Sequence, residues 1–235
     1  MKEKIKQFIV RRFKARFSTV YVFLPFLLLG SRPDDGSFRL GAWVILAGLG
    51  LRFWAGGCVV KFNKLATGGP YAFVRNPLYL GTLIMTAGFV IMTKAYVVGV
   101  LALIVLFLVY DRTMKDEELG LASRHDEEYR LYRQSVPGWI PRLTPYKGGS
   151  SDDLSFSFQR IVFNREYKVV IWAIFLVIGL YLYQELVLER GAFDLKAIFL
   201  AGLALVLVLV DIITELAIRY QKSRSKSNPK SPLLV

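Results

Sequence analysis

Residues 78–110, LYLGTLIMTAGFVIMTKAYVVGVLALIVLFLVY, carry a single charged side chain, Lys94. A bilayer core of about 30 Å is crossed by about 20 apolar helical residues. Lys94 divides the run into 78–93 and 95–111, two segments near that length. Outward from it the pattern repeats. Residues 20–30, 40–51, 169–188 and 195–210 are almost free of charge, apart from Gln184, Glu185 and Lys196 near the ends. With flanking residues, the sequence predicts six spans: 18–31, 39–60, 78–93, 95–111, 168–188 and 195–217. The first, third and fourth are short. Such spans tilt little, sit partly in the interface or extend into flanking sequence. The expected fold class is all-α: a polytopic integral membrane protein of about six transmembrane helices, with a cytosolic juxtamembrane helix closing a site.

Composition agrees. Of 235 residues, 54% are apolar and the mean hydropathy is +0.42, yet Lys plus Arg is 31 against 18 for Asp plus Glu, a net charge of +13. A chain this apolar is not disordered as a whole. One Cys excludes an intrachain disulfide and a Cys-rich zinc site, and one His argues against a His-based metal centre. The basic residues concentrate in residues 1–16, 61–77, 112–168 and the tail, and are sparse in the alternate connections. The positive-inside rule therefore puts both termini and those two connections in the cytosol, as an even number of spans requires. Ile5, Phe8, Ile9 and Phe13 share one helical face, which suits an interfacial helix. No small-residue cleavage site follows, so residues 1–16 do not read as a secretory signal. The basic tail 219–235 reads as disordered and drawn to anionic lipid. Topology accounts for the charge, so no nucleic-acid partner is expected.

Two cytosolic stretches carry chemistry. In LATGGPYAFVRNPLYLG, residues 65–81, Gly68-Gly69-Pro70 signals a turn. Pro77 then opens a helix as its first residue, with Asn76 in the N-cap position. The exposed N–H groups and the positive end of that helix, with Arg75 beside them, suit a carboxylate or phosphate. The plainer alternative is that Asn76 and Pro77 only start a membrane helix and Arg75 follows the positive-inside bias. Residues 110–143, YDRTMKDEELGLASRHDEEYRLYRQSVPGWIPRL, predict a helix dense in both charge signs, on which Leu119, Ala122, Tyr129 and Tyr132 make no strong apolar face. Taken alone this is a solvated juxtamembrane helix ended by Pro137 and Pro141, with Trp139 as an interfacial anchor. Arg52 lies inside the second span. It either snorkels to the interface or serves as an inward charge partner near a site. Cys58 reads as a packing residue and His125 as a surface residue.

Together these segments resemble the isoprenylcysteine carboxyl methyltransferase family and the related membrane phospholipid methyltransferases. The resemblance rests on Gly69-Pro70-Tyr71, on Arg75-Asn76-Pro77-Leu78-Tyr79-Leu80-Gly81, on Glu117-Glu118 with Leu121, on Tyr129 with Tyr132, and on Leu51-Arg52-Phe53-Trp54-Ala55. It covers roughly residues 40–143. It implies S-adenosylmethionine as cofactor and methyl transfer at a cytosol-facing pocket. Carried over by position, the implied cofactor-binding residues are Asn63, Lys64, Leu65, Ala66, Tyr71, Asn76, Pro77, Leu78, Tyr79 and Glu117. Arg75 and Arg112 are the implied catalytic residues, and Arg52 and Arg112 would orient the acceptor. Two positions depart from the family. Asn76 replaces the usual His and cannot titrate near neutral pH. His125-Asp126 replaces Phe-Gly.

The expected organisation is an interfacial helix over 1–16, a methyltransferase core over 17–147, a linker over 148–167, a two-helix membrane extension over 168–218 and the tail 219–235. The expected partners are the membrane and a lipid or lipidated small-molecule acceptor: a carboxylate, a thiol or a phospholipid amine. The expected setting is a prokaryotic plasma membrane rather than the endoplasmic reticulum. Two rival readings stay open. One is a nicotinamide-dependent reductase of the sterol-reductase type. The other is a non-enzymatic membrane scaffold or transporter. Cofactor binding separates them.

Overall fold

The computed structural model of the chain describes residues 27, 29–59, 65–148, 156–189 and 194–227. The expected interfacial helix 1–16, most of the span 18–31, Asn63, Lys64, the first half of the linker and the end of the tail lie outside the described residues. The described elements are all helical: α1 (Asp35–Cys58), a 3-10 turn (Gly69–Ala72), α2 (Pro77–Thr93), α3 (Tyr96–Ser135), α4 (Phe158–Phe163), α5 (Glu166–Tyr183, continued by a π-helical turn Gln184–Leu188) and α6 (Leu195–Ser227). Four helices are long and apolar enough to cross a membrane: Asp35–Cys58, Tyr96–Ser135, Glu166–Leu188 and Leu195–Leu216. They coincide with the expected second, fourth, fifth and sixth spans. The expected third span is the 17-residue apolar helix α2, at the short end of the range. The chain is an integral membrane protein.

The fold differs from the sequence reading at the fourth span. Residues 95–111 and the charged helix after them are one element of 40 residues, α3. Non-helical dihedrals at Asp126, φ 27° and ψ −103°, kink it there, so a long helix and a short helix meet at that residue. The charged half is also not a purely solvated helix. Tyr129 and Tyr132 are buried with Leu65 and Val136 in a small core.

The described residues up to Tyr167 form one compact unit and those from Lys168 onward another. In the first unit, α1 and α2 approach closely. The buried stripe of α1 is Ser37, Gly41, Ile45, Gly48 and Ala55, and that of α2 includes Pro77, Gly81, Met85 and Gly88. Both follow the three-and-four spacing of one helix face. Where the stripes meet, backbone lies against backbone. A Cβ on Gly41 would stand 2.6 Å from the Gly88 carbonyl oxygen, and one on Gly48 would stand 2.7 Å from that of Gly81. In hydrocarbon, where apolar contact gives no net drive, such close packing is what joins helices. A capping box starts α1: Ser37 N–H donates to Asp34 Oδ1 (2.7 Å) and Asp34 N–H to Ser37 Oγ (3.0 Å). Lys94, left-handed at φ 56°, ends α2 and pairs with Asp34. In the second unit, Lys168 bridges Asp211 (3.2 Å) and Glu215 (3.0 Å), which ties α5 to α6.

Candidate active site

The site forms where the segment before α2 meets the charged half of α3. Pro77 is the first residue of α2 and Asn76 occupies the N-cap position, as the sequence predicts. The Asn76 side chain, however, does not cap: no side-chain hydrogen bond closes the turn, and Nδ2 is buried without a partner among the described residues. Residues 71–75 are held from both sides. Tyr132 donates its hydroxyl to the Tyr71 carbonyl at 2.7 Å. On the other side, residues 137–146 run alongside as an extended strap. Arg75 N–H donates to the Pro137 carbonyl, Arg142 N–H to that of Phe73 and Tyr146 N–H to that of Ala72, each at 2.9 Å. The polar backbone of this irregular stretch is thereby satisfied.

Arg75 points inward. Its Nη2 lies 3.2 Å from Glu118 Oε1, and Arg133 Nε lies 3.7 Å from Glu118 Oε2. Two guanidinium groups thus flank one buried carboxylate, a local excess of positive charge beside the helix start. Arg75 Nε and Nη1 are buried with no partner among the described residues. Leaving such donors unpaired costs about 1–3 kcal/mol each. Three donors on adjacent residues at the head of α2, two on Arg75 and one on Asn76, are thus left over. Tyr79 donates its hydroxyl to Glu117 Oε1 at 2.7 Å, and its ring lies tilted against that of Tyr110, the centroids 4.8 Å apart.

The tyrosines around the pocket are held neutral. Burial, with the nearby Glu118 charge, pushes Tyr129 up to about 12. Burial also raises Tyr132. Tyr71 is raised by burial and then by the Glu166 charge.

The sequence-predicted residues divide as follows. Tyr71 is buried beside Ala55 and Cys58, with Ala66 and Leu78 against them. Leu65 belongs to the Tyr129–Tyr132 core. Asn76, Pro77 and Tyr79 form the first turn of α2 and the residue before it. Arg112 is exposed on α3. Arg52 does not snorkel. Its Nη2 pairs with Glu166 Oε2 at 2.7 Å, and its Nη1 donates to the Leu78 carbonyl at 2.9 Å and to Thr82 Oγ1. Sequence reasoning missed Glu118, Thr82 and Glu166. Glu118 was legible in the register: Ala102, Leu106, Tyr110 and Met114 are buried at every fourth position of α3, and the next step lands on Glu118, not Glu117.

Residues 39–124 match the family model for phospholipid methyltransferase. That stretch of the chain is similar to the phospholipid methyltransferases. The match includes both ends of the arrangement above, the Arg75–Pro77 turn and the Glu117–Glu118 pair. Among characterised proteins, a cobalt-zinc-cadmium resistance protein of Cupriavidus metallidurans is 32% identical over 143 residues, 57% of this chain and 66% of its own length. A nickel-cobalt-cadmium resistance protein of Alcaligenes xylosoxydans xylosoxydans is 30% identical over 101 residues, 43% of this chain and 47% of its own. The protein-S-isoprenylcysteine O-methyltransferase of Schizosaccharomyces pombe is 35% identical over 83 residues, 35% of each chain. The chain thus spans less than two thirds of each of these relatives. No solved structure matches it at a significant level. The matched stretch ends at residue 124, so Arg133, the strap and Glu166 lie beyond it.

Proposed function

We propose that this chain transfers a methyl group from S-adenosylmethionine to a lipophilic acceptor at a cytosol-facing pocket. The carrying observation is the set of buried, unpartnered nitrogens of Arg75 and Asn76 at the head of α2, inside family-matched sequence. These donors fit the carboxylate of an amino-acid-like cofactor, and the positive helix end adds to the attraction. Glu117, held by Tyr79, fits the cofactor's ammonium or ribose hydroxyls. Bound there, the cofactor would supply an electrophilic sulfonium methyl group to the acceptor's O, S or N. The protein's own task is alignment, since such a transfer needs an in-line nucleophile about 3 Å away more than it needs a base. That is why Asn76 can stand where the family has His.

The same reading keeps six spans with both termini and the pocket cytosolic, supported by the charge pattern and by an even span count. It assigns catalysis to the core 17–147, membrane anchoring to 168–218, and a prokaryotic plasma membrane as the setting. The acceptor is a prenylated thiol or carboxylate, or a phospholipid amine, its tail entering from the lipid. Arg112, exposed near the cytosolic end of α3, is the acceptor-orienting candidate. Among the described residues no three His, Cys, Asp or Glu side chains gather as a metal site.

Calorimetric titration of S-adenosylmethionine into the detergent-purified chain tests the reading, with Glu117→Ala as a folded control. Saturable binding weakened in the variant supports it. No binding, with lipid added, overturns it in favour of the reductase or the scaffold, which titration with reduced nicotinamide cofactor then separates.

A further inference from the structure

We infer that Glu166, which lies 42 residues beyond the family-matched stretch (166 − 124), is a positioning residue for the cofactor pocket, acting through Arg52. The inference rests on the reading that S-adenosylmethionine binds at the head of α2.

Arg52 is the bridge between the two. One face of its guanidinium holds the Leu78 carbonyl and the Thr82 hydroxyl, in the first and second turns of α2. The other face is held by Glu166. Leu78 immediately follows Pro77 and sits two residues from Asn76, so the clamp acts on the turn that presents the orphaned donors. Tyr71, the buried tyrosine at the opposite end of the 71–75 stretch, feels both charges: Glu166 raises it and Arg52 opposes. Without Glu166, Arg52 would carry an uncompensated charge in a buried setting and would turn toward water or another acceptor, releasing Leu78.

The chain fixes Glu166 in place by several independent means. Residues 156–167 close the C-terminal end of α1, where helix carbonyls lack intrahelical partners. Ser157 N–H donates to the Gly57 carbonyl at 3.0 Å. Asn164 Nδ2 donates to the Gly56 carbonyl at 2.9 Å and to that of Val59 at 3.1 Å. Phe156 and Phe158 pack on Phe53, with ring centroids 5.9 and 6.0 Å from it. Gly56 leaves room for the carboxylate's stem: a Cβ there would stand 2.5 Å from Glu166 Cγ. A segment that only linked two membrane units would need none of this.

The test is S-adenosylmethionine titration of the full chain and its variants, with melting temperature measured alongside. Glu166→Ala is expected to bind about tenfold more weakly, the scale of one charge-assisted hydrogen bond. Sodium acetate, compared with sodium chloride at equal ionic strength, is expected to restore much of the loss by lending Arg52 a carboxylate. Glu166→Gln is expected to fall between. Unchanged affinity in Glu166→Ala, or a loss that acetate does not touch, overturns the proposal while leaving the cofactor reading intact. Absence of binding in the unsubstituted chain overturns both. If Glu166→Ala does not fold, Arg52→Met combined with Glu166→Met removes the pair without stranding a charge. That double variant is expected to fold and to bind about tenfold more weakly, because the Leu78 carbonyl keeps only the Thr82 hydroxyl and loses the charged donor that ties it to α1. Native affinity in it overturns the proposal.

Discussion

Arg52 and Arg75 are both buried beside α2, and they are bonded very differently. Arg52 has a carboxylate, a carbonyl and a hydroxyl around its two terminal nitrogens. Arg75 has one contact to Glu118 through Nη2, and its Nε and Nη1 are left over. Burial is costly for either charge unless it is paired. Arg52 leaves only its Nε unpartnered and holds α2 through both terminal nitrogens, as a framework residue does, whereas Arg75 leaves Nε and a terminal nitrogen over and, on the proposed reading, is completed by the cofactor. The difference separates the part of the core that builds the pocket from the part that faces a ligand.

The comparison predicts opposite rankings for stability and for binding. Arg52→Met strands Glu166, which is 10% exposed, and should cost about 3–5 kcal/mol of unfolding free energy. Arg75→Met should cost less, about 1–2 kcal/mol, because Arg133 still faces Glu118. In cofactor titration the order reverses. Arg75→Met should lose about 100-fold, the scale of two charge-assisted hydrogen bonds, against about tenfold for loss of the Glu166 clamp. Denaturant unfolding in detergent and calorimetry on the same samples check both rankings. If Arg75→Met proved the more destabilised and still bound normally, Arg75 would be framework and the pocket would lie elsewhere.

A second variant addresses the framework alone. Gly48→Ala would place a methyl 2.7 Å from the Gly81 carbonyl oxygen, a backbone atom that cannot step aside. The helices must part, at a cost of about 1–3 kcal/mol. Since Gly81 and Leu78 belong to the same turn of α2, cofactor affinity should fall with stability. Affinity that held while stability dropped would show that α2 can shift without disturbing its head.

What the sequence made legible follows from locality. The start of α2 at Asn76 and Pro77 is written in adjacent residues. So are the apolar runs that become α1, α3, α5 and α6. The resemblance points to Glu117, while the every-fourth stripe through Leu106, Tyr110 and Met114 puts Glu118 on the buried face. Tyr129 and Tyr132 read as polar interruptions of a charged helix. Tyr132 is buried with its hydroxyl satisfied by the Tyr71 carbonyl, 61 residues away, and Tyr129 packs with it against Leu65 and Val136. Glu166 was not legible at all. Its partner lies 114 residues earlier, and no local pattern distinguishes it from other acids at the start of a helix. Ordinary helix signals record neighbours along the chain; tertiary ion pairs do not leave such a trace.

The tyrosine layer above Arg75 gives a pH-dependent test. Tyr129 ionises at about 12 in the folded chain against 10.0 for the free group. Its raised value means that the native state holds the proton longer than the unfolded state. Its contribution is therefore fully present below pH 10 and is lost as pH rises from about 10 to about 12. Unfolding measured from pH 9 upward should show this decline, and Tyr129→Phe should flatten it. A decline unchanged in Tyr129→Phe would move the effect to another alkaline group.

The smallest effect belongs to an exposed pair at the other end of α1. Asp34 caps that helix, pairs with Lys94 and is held down at about 2 from 3.8, first by Lys94 and then by the Ser37 N–H. A lowered carboxylate binds its proton less readily when folded. Its contribution is therefore present above about pH 3.8 and is lost as pH falls toward about 2. Because the pair faces water, salt should screen part of it. The difference in melting temperature between the chain and Asp34→Asn should shrink at low pH and, near neutral pH, shrink partly with added salt. The part that survives salt is the short-range hydrogen bond to Ser37, which Asn retains less well than a charged carboxylate. Arg52 and Glu166, shielded from solvent, should show no such salt dependence. An equal response to salt at the two ends of α1 would mean that water reaches Arg52, and the framework role assigned to it would fail.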